Sequence, residues 1–129
     1  MSDPANRRAR GMEKLKEVAR VPAFDPPDAF VAATVDSVFG ELWTRPGLPN
    51  RERRMITLAV VGTRGVEFEI ETHVRGALDS GDLTPGDLLE LILQLAYYAG
   101  WPCASVVYRK FRAVCGELGL DVPGLEEQD

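Results

Sequence analysis

The chain has 129 residues, of which 45% are hydrophobic and 27% charged, a composition typical of one globular domain and not of a disordered chain. Its 15 basic and 20 acidic residues give a formal charge of -5, which argues against binding nucleic acid through phosphate contacts. Two cysteines and one histidine exclude a disulfide-rich scaffold and a histidine-rich metal site.

The first half of the chain predicts two helices joined by a connector. After a frayed start, a short helix is expected over about 8–20, followed by a proline-rich connector over 21–27. Asp25, followed by two prolines, has the pattern of a helix start. A turn-rich segment over 44–49 ends that second helix. Its apolar positions recur at helical spacing: Phe30, Val31, Thr34, Val35, Val38 and Leu42.

Two more helices are predicted in the middle of the chain. Asn50 is expected to cap the first of them, ahead of a charged first turn. The apolar run over 55–61 alone would also fit a buried strand, but the cap and the charged turn favour a buried helix. After a break at two glycines, the second helix is expected over about 66–80, with Gly81 as its terminator.

The last third predicts two further helices. Residues 84–87 resemble a capping box, and the helix behind them, to about Ala99, is apolar nearly all round. Such a helix lies at the centre of a core or is shared with another subunit, and both are expected here. The last helix runs from about Cys103 to a stop at Gly119. The chain therefore predicts one all-α domain of five or six helices in antiparallel pairs, with its core over about 10–118.

No segment is expected to target or span a membrane. The arginine-rich first eleven residues lack the apolar stretch of a secretory signal. The longest nearly apolar run, over 88–102, is interrupted by Glu90 and Gln94 and is too short to span a bilayer. We therefore expect a cytoplasmic protein with reduced thiols and a mobile acidic tail over 121–129.

The only histidine, His73, is the first candidate for chemistry. It lies four residues after Glu69, so that the two side chains are neighbours on a helix. Glu69 would orient the imidazole, fix its tautomer and raise its pKa, and His73 would then exchange a proton near neutral pH. The alternative is an ordinary surface Glu–His pair without catalytic meaning.

Four arginines are candidates for holding a substrate carboxylate, because a guanidinium beside a helix N-terminus binds carboxylates well. The sequence does not choose among them, and a solvated face paired with Glu41 and Glu52 is the alternative. They are Arg45, Arg51, Arg53 and Arg54.

Aromatic residues near the predicted breaks are candidates for the wall of a pocket, with ordinary core packing as the alternative. Glu90 stands in a nearly apolar helix, so it is expected to be buried and to need an arginine partner. Cys103 and Cys115 would lie about 18 Å apart on one helix, too far for a disulfide. The aromatic residues are Phe39, Trp43, Tyr97, Tyr98 and Trp101.

Four stretches of the chain carry motifs that occur together in one order: 39–48, 53–59, 69–81 and 90–102. Together they resemble the carboxymuconolactone decarboxylase family, within the wider AhpD-like superfamily, over about residues 10–118. The resemblance implies an all-helical AhpD-like fold that assembles as homo-oligomers, either trimers or trimer-based hexamers.

The resemblance implies one of two chemistries. The redox branch carries Cys-x-x-Cys ahead of the histidine, where this chain has Val66 and Glu69, so the thiol mechanism has no nucleophile. The decarboxylase branch has Glu and His as Glu69 and His73 stand here. It implies loss of CO2, without a metal or other cofactor, from a small carboxylated lactone of aromatic-acid breakdown, with His73 as general acid and Glu69 as its partner.

The resemblance also implies the binding residues. Arg53, and less directly Arg45, would receive the substrate carboxylate. Two other functions stay open: a hydroperoxide reductase on the same fold, and an oligomeric small-acid-binding protein that has lost the chemistry. The remaining substrate-binding candidates are Trp43, Tyr98, Trp101 and Glu90.

Overall fold

The structure is a computed structural model that describes residues 3–125. Over that range the chain forms six α-helices and one π-helix and no strand, which confirms the predicted all-α class. The end of the predicted acidic tail, over 126–129, lies outside the described residues. In chain order the elements are α1 (Pro4–Ala19), α2 (Ala29–Ala33), the π-helix (Thr34–Leu42), α3 (Asn50–Arg64), α4 (Glu67–Ser80), α5 (Pro85–Ala99) and α6 (Trp101–Leu118).

The predicted terminating glycines of α4 and α6 and the predicted capping box of α5 are confirmed, whereas α6 begins at Trp101, two residues before the predicted start. Gly81 and Gly119 stop their helices in the left-handed conformation, with φ of 81° and 69°. Thr84 and Asp87 cap α5 reciprocally, since each side chain accepts the backbone N–H of the other residue. These signals act within a single turn of chain, which is why the sequence alone identifies them.

Three predicted helix starts are wrong. α1 begins at Pro4, because Asp3 accepts the N–H of Ala5 and proline at the first position needs no N–H partner. The cap of α2 is Asp28, whose carboxylate accepts the N–H of Val31 at 2.9 Å, and not Asp25.

Asn50 is the first residue of α3 and does not cap it. Its side-chain amide instead donates to Glu17 at 2.7 Å and its oxygen accepts from Lys14 at 3.3 Å. The side chain that resembled a cap in the sequence therefore ties α3 to α1.

The π-helix changes which residues face the core. Its backbone bonds reach five residues back, as from the N–H of Trp43 to the carbonyl of Val38 at 2.9 Å. The predicted 3.6-residue stripe therefore holds only in part. Val35 is buried as predicted, but Phe39 is buried while Val38 and Leu42 are 38% and 50% exposed, and Phe30, in α2, is 81% exposed.

Two apolar clusters hold the fold together. The larger lies among α3, α4, α5 and α6 and includes Leu58, Val74 and Phe111. The smaller consists of Val18, Phe39 and Trp43, joined by the partly buried Leu15, where α1 packs on the π-helix. No helix within residues 3–125 is both long and apolar enough to cross a membrane.

Glycines allow α1 to approach its neighbours closely. A Cβ at Gly11 would overlap the carbonyl oxygen of Val35, and one at Gly40 would lie 2.7 Å from the carbonyl oxygen of Arg7. The small cluster is therefore closed by backbone-to-backbone contact, which fixes the position of Trp43 at its edge.

Candidate functional site

His73 lies where α4 meets the small cluster. Its imidazole stacks on the indole of Trp43, with ring centroids 6.1 Å apart and planes within 9°. Trp43 is in turn stacked on Phe39 at 6.2 Å and is only 4% exposed. The only histidine of the chain is therefore held against a rigid aromatic wall, and the structure brings two of the predicted site residues together here.

The surroundings of His73 favour its neutral form. Burial is the largest effect and the Arg54 charge adds to it, so that the pKa of His73 falls from 6.5 to about 4, although Glu69 acts in the opposite direction. The Nδ1 atom is buried and has no hydrogen-bond partner within residues 3–125. Glu69 is exposed, and its raising effect on the pKa is outweighed. At pH 7 the imidazole therefore carries no charge.

We expect the lowered pKa of His73 to make the protein less stable in mild acid. Its folded pKa of about 4 lies below the unfolded value of 6.5, so the unfolded chain takes up a proton first. The free energy of unfolding should therefore fall as the pH drops from 6.5 to 4, by up to about 3 kcal/mol at about 1.36 kcal/mol per pKa unit. Urea unfolding at stepped pH measures this fall.

The control for this titration is His73→Phe, which keeps an aromatic ring and removes the titrating group. Carboxylates titrate in both proteins and cancel in the comparison. The difference between their free energies of unfolding should therefore change across the same pH window through His73 alone. The ion-paired Asp87, whose pKa is about 2, loses its stabilising effect only below that window. A constant difference from pH 7 to pH 4 would contradict the lowered pKa of His73.

Arg53 lines a pocket of about 200 Å³ that also uses Trp43. Its Nε donates to the carbonyl of Leu48 at 3.1 Å and its Nη2 to the carbonyl of Arg45 at 3.2 Å. Nε and Nη2 thus hold the loop after the π-helix. The other N–H groups of the Arg53 guanidinium are available to a ligand. Arg45 contributes its backbone to this arrangement, and its side chain is exposed. The pocket lining is Leu42, Trp43, Arg53, Ile56 and Thr57.

Glu90 and Tyr98 line a different groove, of about 770 Å³, between α3 and α5. The expectation that Glu90 is buried with an arginine partner is wrong, because the outer face of α5 is uncovered and Glu90 is exposed. Arg51, at the same groove, donates to Asp87 at 2.8 Å and to the carbonyl of Asp82 at 3.1 Å. Its charge is therefore already paired.

Trp101 lies at a third place. It lines a groove of about 320 Å³ between α5 and α6, and its ring contacts Tyr97 with centroids 5.8 Å apart. The two tryptophans, Trp43 and Trp101, do not wall one pocket in this chain. The predicted binding residues therefore divide among three places. Only Trp43 and Arg53 share a pocket, to which His73 is linked by its stacking on Trp43.

Arg54 is the residue whose importance the sequence did not reveal. It is the only charged residue in the described part of the chain that is fully buried. Its guanidinium bonds Val18, Glu17 and Asp82, at 2.8, 3.1 and 2.8 Å. In the sequence, Arg51, Arg53 and Arg54 are equally good candidates. Arg54 is distinguished only in the folded chain, where the end of α1 lies against it.

The thiols offer no support for redox chemistry. Cys103 and Cys115 are both free and both lie on α6, the first donating to the carbonyl of Gly100 at 3.3 Å. Burial raises the pKa of the Cys115 thiol, which opposes formation of the nucleophilic thiolate. Among residues 3–125 no three His, Cys, Asp or Glu side chains lie close enough together to hold a metal ion.

Comparison with known proteins places this geometry in context. Residues 28–112 match the sequence profile of the carboxymuconolactone decarboxylase family. The chain is 38% identical over 82 residues to a 4-carboxymuconolactone decarboxylase of Acinetobacter baylyi, a match that covers 64% of this chain and 60% of that protein. It is 34% identical over 64 residues to a nitrosuccinic acid decarboxylase of Metarhizium robertsii, covering 50% and 44%. The chain thus spans less than two thirds of either relative.

Proposed function

The chain belongs to the carboxymuconolactone decarboxylase family, and we propose that it is a cofactor-independent decarboxylase of a small carboxylic acid. The observation that carries the proposal is the stacking of His73 on Trp43, a residue that lines the same pocket as Arg53. The names of both relatives agree with this activity. A carboxylated lactone is the proposed substrate, and a nitro-substituted acid is the second compound to test.

These two kinds of acid share one chemical requirement. The bond from carbon to CO2 breaks, and its electron pair stays on the carbon that held the carboxylate. The unsaturated lactone spreads that charge as a dienolate, and a nitro group spreads it as a nitronate. A proton must then be added at carbon. The protein has to bind the carboxylate, stabilise the developing anion and deliver that proton.

Arg53, which lines the pocket, and His73, which stacks on the pocket residue Trp43, would divide these tasks. Arg53 would bind a substrate carboxylate through its unused N–H groups, in charge-assisted hydrogen bonds. His73, neutral at pH 7, would first donate an N–H to the developing anion. The bound negative charge favours the imidazolium form, so that His73 would then pass a proton to carbon. Glu69 would support that protonated form, and Trp43 would position the ring.

The direct test is a CO2-release assay with purified protein and no added metal or cofactor. Substrates are 4-carboxymuconolactone, nitrosuccinate and a β-keto acid. Release from the first or second supports the proposal and identifies the substrate class. Tight binding of an acid without CO2 release would favour the small-acid-binding alternative. Hydroperoxide reduction that is lost in a Cys103→Ser/Cys115→Ser variant would favour the reductase alternative.

Replacing Arg53 by glutamine is expected to weaken substrate binding more than turnover. A charge-assisted hydrogen bond contributes about 1.5–3 kcal/mol, so KM should rise by about 10- to 100-fold with a smaller change in kcat. Steady-state kinetics of CO2 release measure both constants. Arg51→Gln is the matched control, because Arg51 is on the same helix but paired with Asp87. Equal effects of both variants would refute a binding role for Arg53.

We also propose that the chain assembles as homo-trimers or hexamers. Large aromatic side chains are exposed on α5 and at the start of α6, including Tyr98 at 85% exposure. Grouped apolar exposure of this kind is typical of a protein interface. A second copy packed there would cover Tyr98 and Trp101, and sedimentation velocity measures the resulting mass. The cytoplasmic location and the absence of nucleic-acid binding stay predictions.

A further inference from the structure

Arg54 is a buried cation that joins three parts of the fold. Its Nη1 and Nη2 donate to the carbonyl oxygens of Val18 and Glu17, in the last turn of α1, where helix carbonyls have no partner of their own. Its Nε donates to Asp82, in the loop after α4. All three distances lie between 2.8 and 3.1 Å. The guanidinium is therefore fixed in place from both sides.

The guanidinium also lies against α4 at Gly76, within one helical turn of His73. Gly76, three residues after His73 and so on a neighbouring part of the same helix face, provides the room for it. A Cβ at Gly76 would be 2.7 Å from Nη1 of Arg54 and would overlap the carbonyl oxygen of Val18. Val18 in turn packs in the cluster with Trp43, on which His73 is stacked. Arg54 is thus connected to the imidazole through α4 and through α1.

Arg54 and Glu69 are the charges that act on His73. Arg54 disfavours the protonated imidazole and reinforces burial, whereas Glu69 is exposed to solvent and opposes them less. Asp82, the ion partner of Arg54, is 32% exposed, so solvent screens it more than it screens the wholly buried guanidinium. Four other charged side chains of α4 are paired with other helices: Asp79 with Arg20, Arg75 with Glu117, and Glu67 and Glu71 with Lys110.

We propose that Arg54 is a positioning residue of the decarboxylase site, which keeps His73 unprotonated in the free protein and lets an anionic substrate reverse that state. The proposal rests on the function proposed above. The fixed cation repels a proton from the imidazole while the site is empty. A bound carboxylate offsets the cation, so that His73 takes up a proton only when substrate is present. The acid form is therefore coupled to binding.

The single histidine makes the experiment direct, because His73 gives the only imidazole signals in an NMR titration of the whole chain. In the unmodified protein we expect a midpoint near pH 4. Arg54→Met keeps a side chain of similar length without the charge, and we expect the midpoint to rise by about one unit. Arg54→Lys keeps the charge and should hold the midpoint near the original value. Arg51→Met, on the same helix but paired with Asp87, should leave the midpoint unchanged.

An unchanged midpoint in a folded Arg54→Met protein would overturn the proposal. If that variant does not fold, Asp82→Asn provides the second arm, because it removes a partly exposed counter-ion and leaves the cation in place. The less compensated cation should then lower the midpoint, and a midpoint that does not move overturns the proposal in this arm too. The titration needs no substrate. It therefore tests the effect of Arg54 on His73 even if the unmodified protein releases no CO2.

Where CO2 release is measurable, the pH profile separates control of the proton from a merely structural role. Because His73 acts as the acid, kcat/KM should fall above its free-protein pKa, and this alkaline limb should move upward with the NMR midpoint in Arg54→Met and return in Arg54→Lys. Equal losses of activity in both variants, with an unmoved alkaline limb, would assign Arg54 to the fold alone.

Discussion

His73→Phe is expected to abolish CO2 release and to leave the protein folded. Phenylalanine keeps a flat ring that can stack on Trp43, so the packing between α4 and the small cluster is retained. It has no nitrogen to donate a hydrogen bond or a proton. General acid–base catalysis contributes about 10²- to 10⁴-fold, and we expect kcat to fall within or beyond that range. Kinetics beside circular dichroism and urea unfolding measure both expectations.

Glu69→Gln is the companion variant. Glu69 is exposed and acts on His73 through its charge, so its loss should reduce kcat less than tenfold. A His73→Phe protein that releases CO2 at the original rate would contradict the proposed mechanism. If His73→Phe is folded but inactive while Glu69→Gln keeps most of its activity, the imidazole of His73 is identified as the group that donates the proton.

Gly76→Ala is expected to cause a large loss of stability for the addition of a single methyl group. The new Cβ would overlap the carbonyl oxygen of Val18 and lie 2.7 Å from Nη1 of Arg54. Neither group can move without separating α1 from α4 or breaking the bonds of a buried cation. Breaking a buried ion pair costs about 3–5 kcal/mol, which exceeds the gain of about 1 kcal/mol in helix propensity. We expect a net loss of about 3 kcal/mol in urea unfolding.

Gly116→Ala is the matched control for this steric effect. Gly116 also lies inside a helix, α6, but an added Cβ would meet no atom within 4 Å. The same chemical change should therefore raise the free energy of unfolding by about 0.5–1 kcal/mol, because alanine restricts the unfolded chain more than glycine does. A Gly76→Ala protein as stable as Gly116→Ala would refute the close contact of α1, α4 and Arg54.

The candidate site was only partly predictable from the sequence. The spacing identified His73 and Glu69 as neighbours, and the ordered motifs added Trp43 and Arg53. Nothing in the spacing indicated that Arg54 is the buried arginine, because two of its partners are carbonyl groups of α1 and the third, Asp82, is distant in the sequence. The direction in which the pKa of His73 shifts also depends on burial. The spacing of Glu69 and His73 on one helix does not reveal that burial.

The sequence also did not reveal which of the predicted pocket-wall residues lie together. Glu90, Tyr98 and Trp101 belong to one motif stretch, 90–102, yet they line grooves on different sides of α5. A helix turns its successive residues to different neighbours, so residues close in sequence need not share a pocket. Their part in binding within an assembled oligomer stays a prediction.

The sequence by itself determined the class of the fold, the terminating glycines of α4 and α6 and the capping box of α5, because capping boxes, terminal glycines and helical periodicity act within one or two turns. The tertiary structure decided the phase of the π-helix, the role of Asn50 and the electrostatic state of His73. Each of these depends on α1, which packs closely on the π-helix at Gly11 and on α4 at Gly76, and whose carbonyls accept hydrogen bonds from Arg54 of α3, across long separations in the chain. Burial and charge at His73 follow from that packing and are set only when the helices come together.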